Sequence, residues 1–191
     1  PRFEAGRPGV TVRLNFAASG ALIQQIAQGA PVDVLASADQ ETMDRGVQQR
    51  LIDAPTRRNF ASNSLVLIEP AKDGVGLKTL QDLTRPTVKR IAVGKLATVP
   101  VGRYTKQALD AANLWTVLEP RFVQADSVRQ VLDYVARAEV EAGFVYRTDA
   151  ALMGDRVKVV MSPHVTTPIT YPVAVVAHSR QKELAQAFAA Y

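Results

Sequence analysis

Short apolar runs with the period of a strand alternate along this chain with runs that have the period of a helix. In the first pair, apolar residues at 10–16 alternate with polar ones, and the apolar residues of 22–26 then follow helical spacing. Further strands are predicted at 32–37, 65–70, 89–94, 121–125, 143–146, 157–161 and 171–177, and further helices at 39–49, 102–112, 128–138 and 182–190. Strands that alternate with helices are typical of parallel α/β units, so the pattern predicts an α/β fold.

The composition excludes several classes of protein. Of the 191 residues, 47% are hydrophobic and 21% are charged, which is ordinary for a globular chain of one large domain or two lobes. None is cysteine, which excludes disulfides, cysteine-ligated zinc and thiol catalysis. The net charge of +5 is scattered along the chain instead of forming one basic stripe. We therefore expect no nucleic-acid partner.

Residues that could carry catalysis are also scattered. The sequence has no G-x-S-x-G motif, and its two histidines, His164 and His178, have no metal-ligand spacing around them. No spacing brings two carboxylates together. These observations predict a protein that is not an enzyme, needs no cofactor and provides no direct ligand for a metal ion.

Three predicted helices begin just after a strand and carry no acidic residue in their first turn. Ser19 opens the first helix, Val101 follows Pro100 in VPVGRY, and Val128 follows Ser127 in ADSVRQ. An acidic side chain there would be favourable by about 0.3–1 kcal/mol. Its absence leaves free the N–H groups with which helix N-termini bind oxyanions.

Two interpretations of these junctions stay open on residue pattern alone. Each one is either an ordinary helix cap, with Ser127 and Gln130 able to form a capping box, or part of a seat for an anion. Tyr146, at the end of the strand GFVY, either covers the core or turns its hydroxyl toward a ligand beyond the strand ends.

Five segments, in this order, resemble the periplasmic molybdate-binding proteins of ABC transporters. They are FAASGALIQQIAQGAPVDVLASADQETMD, NSLVLIEP, IAVGKLATVPVGRYTKQAL, DSVRQVLDYVARAEVEAGFVYRTDA and YPVAVV, and they span nearly the whole chain. The resemblance implies a type II periplasmic-binding-protein fold, in which a two-strand hinge joins two α/β lobes and a ligand cleft lies between them. We expect the first lobe to comprise 1–62 and 173–191, and the second 63–172.

Matched position by position, the resemblance implies four oxyanion donors. They are the hydroxyls of Ser19 and Tyr146 and the backbone N–H groups of Val101 and Val128. Ser19 would both cap its helix and donate to the anion, whereas Lys95 is expected to face solvent. Members of the family begin with one more strand and one more hydroxyl ligand, which this chain lacks. We therefore expect the natural protein to carry about 20–30 more N-terminal residues.

The implied function is high-affinity binding of molybdate, and of tungstate, for delivery to the membrane permease of an ABC importer. We expect a periplasmic monomer, whose mature chain would show no signal peptide. Two alternatives stay open. One is a receptor for another tetrahedral oxyanion such as sulfate. The other is the anion-sensing effector domain of a transcription regulator, which would need a helix-turn-helix segment that is not seen in this sequence.

Overall fold

The computed structural model describes residues 2–191, which form two units. The first unit contains the described residues up to Phe60 and also Tyr171–Tyr191, and the second is Ala61–Thr170. The strands are β1 (Val34–Ala36), β2 (Arg58–Ser62), β3 (Leu65–Pro70), β4 (Ile91–Gly94), β5 (Phe122–Ala125), β6 (Ala142–Tyr146), β7 (Val157–Met161) and β8 (Thr170–Val175). The helices are α1 (Arg2–Ala5), α2 (Ser19–Ala27), α3 (Gln40–Gln48), α4 (Pro100–Ala111), α5 (Trp115–Leu118), α6 (Val128–Ala136), α7 (Arg147–Ala151) and α8 (Lys182–Ala190).

The first unit is built on a three-stranded sheet in the order β1-β8-β2, with β8 antiparallel to β1. The apolar stripe of α2 and one face of α3 pack on this sheet, so that Ile23, Met43 and Leu35 are buried together. Asp39 caps α3 by accepting a hydrogen bond from the N–H of Thr42 at 3.2 Å. The predicted helices at 22–26 and 39–49 are confirmed.

The strand predicted at 10–16 is wrong. These residues pair with no other strand in the described chain, and Leu14 and Phe16 are 63% and 85% exposed. The N–H of Val12 instead donates to the side-chain carboxylate of Glu4 at 2.6 Å. Alternating polarity predicts a strand only where a neighbouring strand accepts its backbone hydrogen bonds, and the first sheet offers none beside this segment.

The second unit is built on a five-stranded sheet in the order β5-β4-β6-β3-β7. Strand β4 runs parallel to β5 and β6, with α4 and α6 as the crossover helices, whereas β3 runs antiparallel to β6 and β7. The prediction of parallel units therefore holds for β4, β5 and β6 and is wrong for β3 and β7. Val131, Leu132 and Val135 of α6 pack on buried side chains of β3 and β6 to form the core.

Some elements carry no pattern that the sequence analysis could find. Strand β2 is exposed along its whole length, so its residues do not alternate in polarity. The helices α1, α5 and α7 have only four or five residues each, too few to show a helical period. No helix of residues 2–191 is both long enough and apolar enough to cross a bilayer.

Candidate oxyanion-binding site

Three of the four predicted donors lie at one edge of the second sheet. The parallel strands β4, β5 and β6 place their carboxyl ends at that edge. Val101 lies in the first turn of α4, Val128 is the first residue of α6, and Tyr146 is the last residue of β6. Ser19 is the first residue of α2 and belongs to the other unit.

The N–H of Val101 has no acceptor among the described residues. Helix α4 begins at Pro100, so Val101 is its second residue and has no helical carbonyl to bond. The start of α4 lies directly on the end of β4, because a Cβ at Gly102 would overlap the carbonyl oxygen of Gly94. This close approach holds the Val101 N–H at the carboxyl end of β4.

The N–H of Val128 likewise has no acceptor within residues 2–191. Ser127 caps α6 by accepting from the N–H of Gln130 at 3.2 Å. This bond is one of the two that form a capping box. The side-chain oxygen of Gln130 accepts from the N–H of Asp126 at 2.6 Å instead of from the cap residue. The two side chains therefore satisfy the neighbouring N–H groups and leave that of Val128 available.

Lys95 follows β4 and forms an ion pair with Asp126, with 2.5 Å between Nζ and Oδ1. The backbone N–H of Lys95 also donates to the carbonyl of Ala125 at 2.9 Å. Both charged side chains are largely exposed, so the ion pair contributes at most about 1 kcal/mol to stability. Lys95 faces solvent, as expected, with Asp126 neutralising its charge.

Tyr146 is 3% exposed and is the N-cap residue of α7. Its ring stands edge-on to that of Tyr104 of α4, with 6.4 Å between the ring centroids. Helix α4 therefore supplies both the Val101 N–H and the side chain that fixes the Tyr146 ring. Buried aromatic pairs of this geometry contribute about 0.5–1.5 kcal/mol beyond their buried area.

Asp149 is a residue near Tyr146 that the sequence analysis missed. It is the third residue of α7, the helix whose N-cap residue is Tyr146. Burial raises the pKa of Asp149, while the positive charge of Arg129 and the backbone N–H of Tyr146 act to lower the pKa. The available signal was an acidic residue three positions after the end of a strand, as in the second half of a capping box.

The prediction that Ser19 caps α2 is wrong. Helix α2 has Ala18 as its N-cap residue, and the carbonyl of Ala18 accepts from the N–H groups of Ala21 and Leu22. The buried hydroxyl of Ser19 instead accepts from the N–H of Ala38 at 2.9 Å. A hydroxyl that accepts one hydrogen bond keeps its proton for donation.

The part of the chain that the structure describes contains no group of three or more His, Asp or Glu side chains that could hold a metal ion. His164 and His178 are exposed and lie far apart in sequence. The predicted donors at the sheet edge are two N–H groups and one hydroxyl, none of which carries a formal charge. Such a set is suited to an oxyanion and unsuited to a cation.

The chain is similar to proteins of known identity. It is 39% identical over 173 residues to the molybdate-binding protein ModA of Escherichia coli (strain K12). The aligned residues cover 88% of this chain and 67% of that protein. The chain also matches the structure of the Azotobacter vinelandii periplasmic molybdate-binding protein, with 26% sequence identity and a TM-score of 0.79. This match covers 97% of the present chain and 82% of the other.

The sulfate-binding protein SubI from Mycobacterium tuberculosis H37Rv shares the fold, with 20% identity and a TM-score of 0.85 over 100% of this chain and 74% of the other. The fold is the type II periplasmic-binding-protein fold, as the resemblance implied. The family model described as bacterial extracellular solute-binding protein matches residues 1–191. The chain therefore belongs to the family of bacterial extracellular solute-binding proteins.

Proposed function

We propose that this chain binds molybdate and delivers it to the membrane permease of an ABC importer. The observation that carries the proposal is the placement of Val101, Val128 and Tyr146, the three proposed uncharged donors, at one edge of the second sheet. The similarity to ModA of Escherichia coli supports the choice of anion. The Ser19 hydroxyl of the first unit is the fourth proposed donor.

The charges around these donors favour binding by hydrogen bonds instead of by ion pairs. Lys95 is paired with Asp126, and the positive charge of Arg129 acts to lower the pKa of Asp149. Hydrogen bonds to a charged group contribute about 1.5–3 kcal/mol each, so a few well-placed neutral donors hold a dianion strongly. Backbone N–H groups held by packed helices cannot follow a smaller anion inward, which gives the site a means to select by size.

We propose that the site accepts tungstate as well as molybdate, because the two anions have the same charge and shape. Sulfate is smaller, and we expect it to bind far more weakly. Within this proposal the protein is a binding protein and not an enzyme, works as a monomer outside the cytoplasm, and needs no cofactor. The periplasmic location of the Azotobacter vinelandii protein supports the location.

The test is isothermal titration of the purified chain with molybdate, tungstate, sulfate and phosphate at one pH and ionic strength. We expect similar dissociation constants for the first two anions and values at least about a hundredfold higher for the others. Sulfate that binds as tightly as molybdate would assign the chain to another oxyanion. Failure of all four anions to bind would overturn the proposal altogether.

Delivery is tested in cells of the native host from which the gene has been deleted. Molybdenum accumulation at nanomolar external molybdate is expected to fall and to recover when the gene is restored. A restored gene that carries Tyr146→Phe is the matched control and is expected to recover less. If molybdenum accumulation were the same with and without the gene, the proposed role in delivery would be rejected, while anion binding would stand on the titration alone.

A further inference from the structure

The side chain of Gln130 holds the turn that leads from β5 into α6. Gln130 is the third residue of α6, and its side-chain oxygen accepts from the backbone N–H of Asp126 at 2.6 Å. Its own backbone N–H donates to the hydroxyl oxygen of Ser127 at 3.2 Å. Val128, whose N–H is a proposed donor, lies inside the segment that both bonds span. The two bonds therefore restrain the backbone on either side of that donor.

The peptide group between Ala125 and Asp126 is fixed at both of its polar ends. Its carbonyl, on the last residue of β5, accepts from the backbone N–H of Lys95 at 2.9 Å. Its N–H is the one that donates to Gln130. In an ordinary capping box the glutamine would reach the N–H of the N-cap residue, which is Ser127. The Gln130 side chain instead anchors the turn one residue earlier, where the chain leaves the sheet.

Helix α6 itself does not depend on this side chain. Its cap comes from the hydroxyl of Ser127, and the carbonyl of Ser127 accepts from the N–H of Val131 at 3.2 Å. Val131 is fully buried in the core of the second unit. Replacement of Gln130 is therefore expected to loosen the turn that carries the Val128 N–H while α6 stays in place.

The absence of a charge at this position is a second feature. Glutamate and glutamine both serve as the third residue of a capping box, and the helix dipole favours the acid. A carboxylate in place of the Gln130 amide would lie two residues from the N–H that is proposed to donate to a dianion, and like charges repel. The neighbouring acid, Asp126, has its charge compensated by Lys95 at 2.5 Å. Gln130 thus supplies an acceptor without adding negative charge beside Val128.

We propose that Gln130 is a positioning residue of the oxyanion site, which holds the Val128 turn through an acceptor that carries no charge. This inference rests on the proposed function of the chain. Gln130 acts on the anion through the backbone of the turn and makes no contact with the anion itself. Loss of the acceptor lets the peptide group at Asp126 rotate and moves the Val128 N–H. A carboxylate would keep the hydrogen bond but repel the dianion.

The experiment compares the parent with three variants. Gln130→Met has a similar length but only a weakly accepting sulfur, and Gln130→Glu keeps the acceptor and adds a charge. Gln81→Glu is the matched control, because it adds the same charge to an exposed residue of the second unit. Gln81 begins a short helix that Arg121 holds at the amino end of β5, through the carbonyls of Leu83 and Thr84.

Molybdate affinity is measured by titration at about pH 8, where glutamate is ionised, in about 0.05 M and about 0.5 M sodium chloride. We expect Gln130→Met to bind about tenfold more weakly at both salt concentrations, because it loses the hydrogen bond. We expect Gln130→Glu to bind about tenfold more weakly at low salt and about threefold more weakly at high salt, since salt screens the added charge. Gln81→Glu should stay within about twofold of the parent throughout.

Denaturant unfolding separates this role from a merely structural one. Gln130→Glu should unfold at a denaturant concentration no lower than the parent, because it keeps the hydrogen bond and suits the helix dipole. A side chain that only stabilised the fold would therefore let Gln130→Glu bind molybdate like the parent. The expected result is instead a stable variant with a salt-dependent loss of affinity.

Parent-like affinity in Gln130→Met, or in Gln130→Glu at low salt, would overturn the inference. So would a loss in Gln130→Glu that is the same at both salt concentrations, or an equal loss in Gln81→Glu. If Gln130→Met does not fold, Gln130→Ala takes its place under the same criteria. Failure of the parent itself to bind molybdate would reject the proposed function instead, so the two failures are distinguishable.

Discussion

The backbone N–H of Ala38 donates to the hydroxyl oxygen of Ser19 over 2.9 Å. The bond ties the first residue of α2 to the segment between β1 and α3. It also fixes the side chain of a residue that is only 5% exposed. Because the oxygen is occupied as an acceptor, the hydroxyl proton is directed away from Ala38. Ser19 thus owes its orientation to a partner nineteen residues later and not to the end of its own helix.

Replacement of Ser19 by alanine is expected to have two separable effects. Loss of the acceptor leaves the Ala38 N–H without its partner and should lower the free energy of unfolding by about 1 kcal/mol. Loss of the donor should weaken molybdate binding by roughly 1–3 kcal/mol. Denaturant unfolding and titration measure the two effects. Ser19→Thr, which keeps the hydroxyl, is the control, and parent-like affinity in Ser19→Ala would place the donor elsewhere.

Gly102→Ala tests the close approach of α4 to β4. The added methyl group would meet the carbonyl of Gly94, so the start of α4 must shift and carry the Val101 N–H with it. Such overpacking usually lowers the free energy of unfolding by about 1–3 kcal/mol, and we expect a loss of molybdate affinity as well. Gly154→Ala is the matched control, because a Cβ added there would lie 4.0 Å from the carbonyl oxygen of Ala151, an ordinary contact distance. Equal affinities in the two variants would contradict a role for Val101.

Tyr146→Phe removes the proposed hydroxyl donor and keeps the ring that stands edge-on to Tyr104. We expect molybdate to bind more weakly by roughly 1–3 kcal/mol, because one anion oxygen loses its partner. Thermal unfolding should change little, since the buried ring stays in place. Tyr134→Phe, on α6, removes a hydroxyl elsewhere in the same unit and should leave the affinity unchanged. Identical titrations for both variants would exclude Tyr146 from the site.

Asp149→Asn is expected to change how stability depends on pH. Burial raises the pKa of Asp149 in the folded chain. Such a group stabilises the fold fully below the ordinary aspartate pKa of about 3.9, and this contribution is lost as pH rises through the raised value. Asparagine cannot ionise, so the variant should melt above the parent at pH 7, and the difference should narrow as pH falls toward 4. The prediction would be contradicted if the variant melted below the parent by the same number of degrees at every pH from 4 to 7. Burial would then not dominate the pKa of Asp149.

The sequence predicted most of the second unit because its strands are short, continuous apolar runs. Strands β3 and β7 were predicted with their observed ends, 65–70 and 157–161. Their antiparallel direction was missed, because the period of a strand carries no information about the direction of its neighbours. The strand predicted at 10–16 was wrong for a related reason. Its alternating polarity implies a partner strand, and the described chain places none beside it.

The candidate site was predicted where it depends on the starts of helices, which local residues determine. Helix α6 begins at Val128, as predicted, whereas α4 begins at Pro100, two residues before its predicted start. The partner of the Ser19 hydroxyl was not predictable from local pattern, because Ala38 reaches it only through the packing of α2 beside β1. Asp149 was missed because a helix of five residues is too short to show a helical period.

The central strand of the first sheet, β8, comes from the C-terminal part of the chain, whereas β1 and β2 come from the N-terminal part. The second unit, in contrast, is one continuous segment. During synthesis β1 and β2 therefore stay without their shared partner strand until β8 has been translated, after the whole of the second unit. The second unit can complete its sheet and core while they wait. The order of assembly is thus the reverse of the order in which the two units begin along the chain.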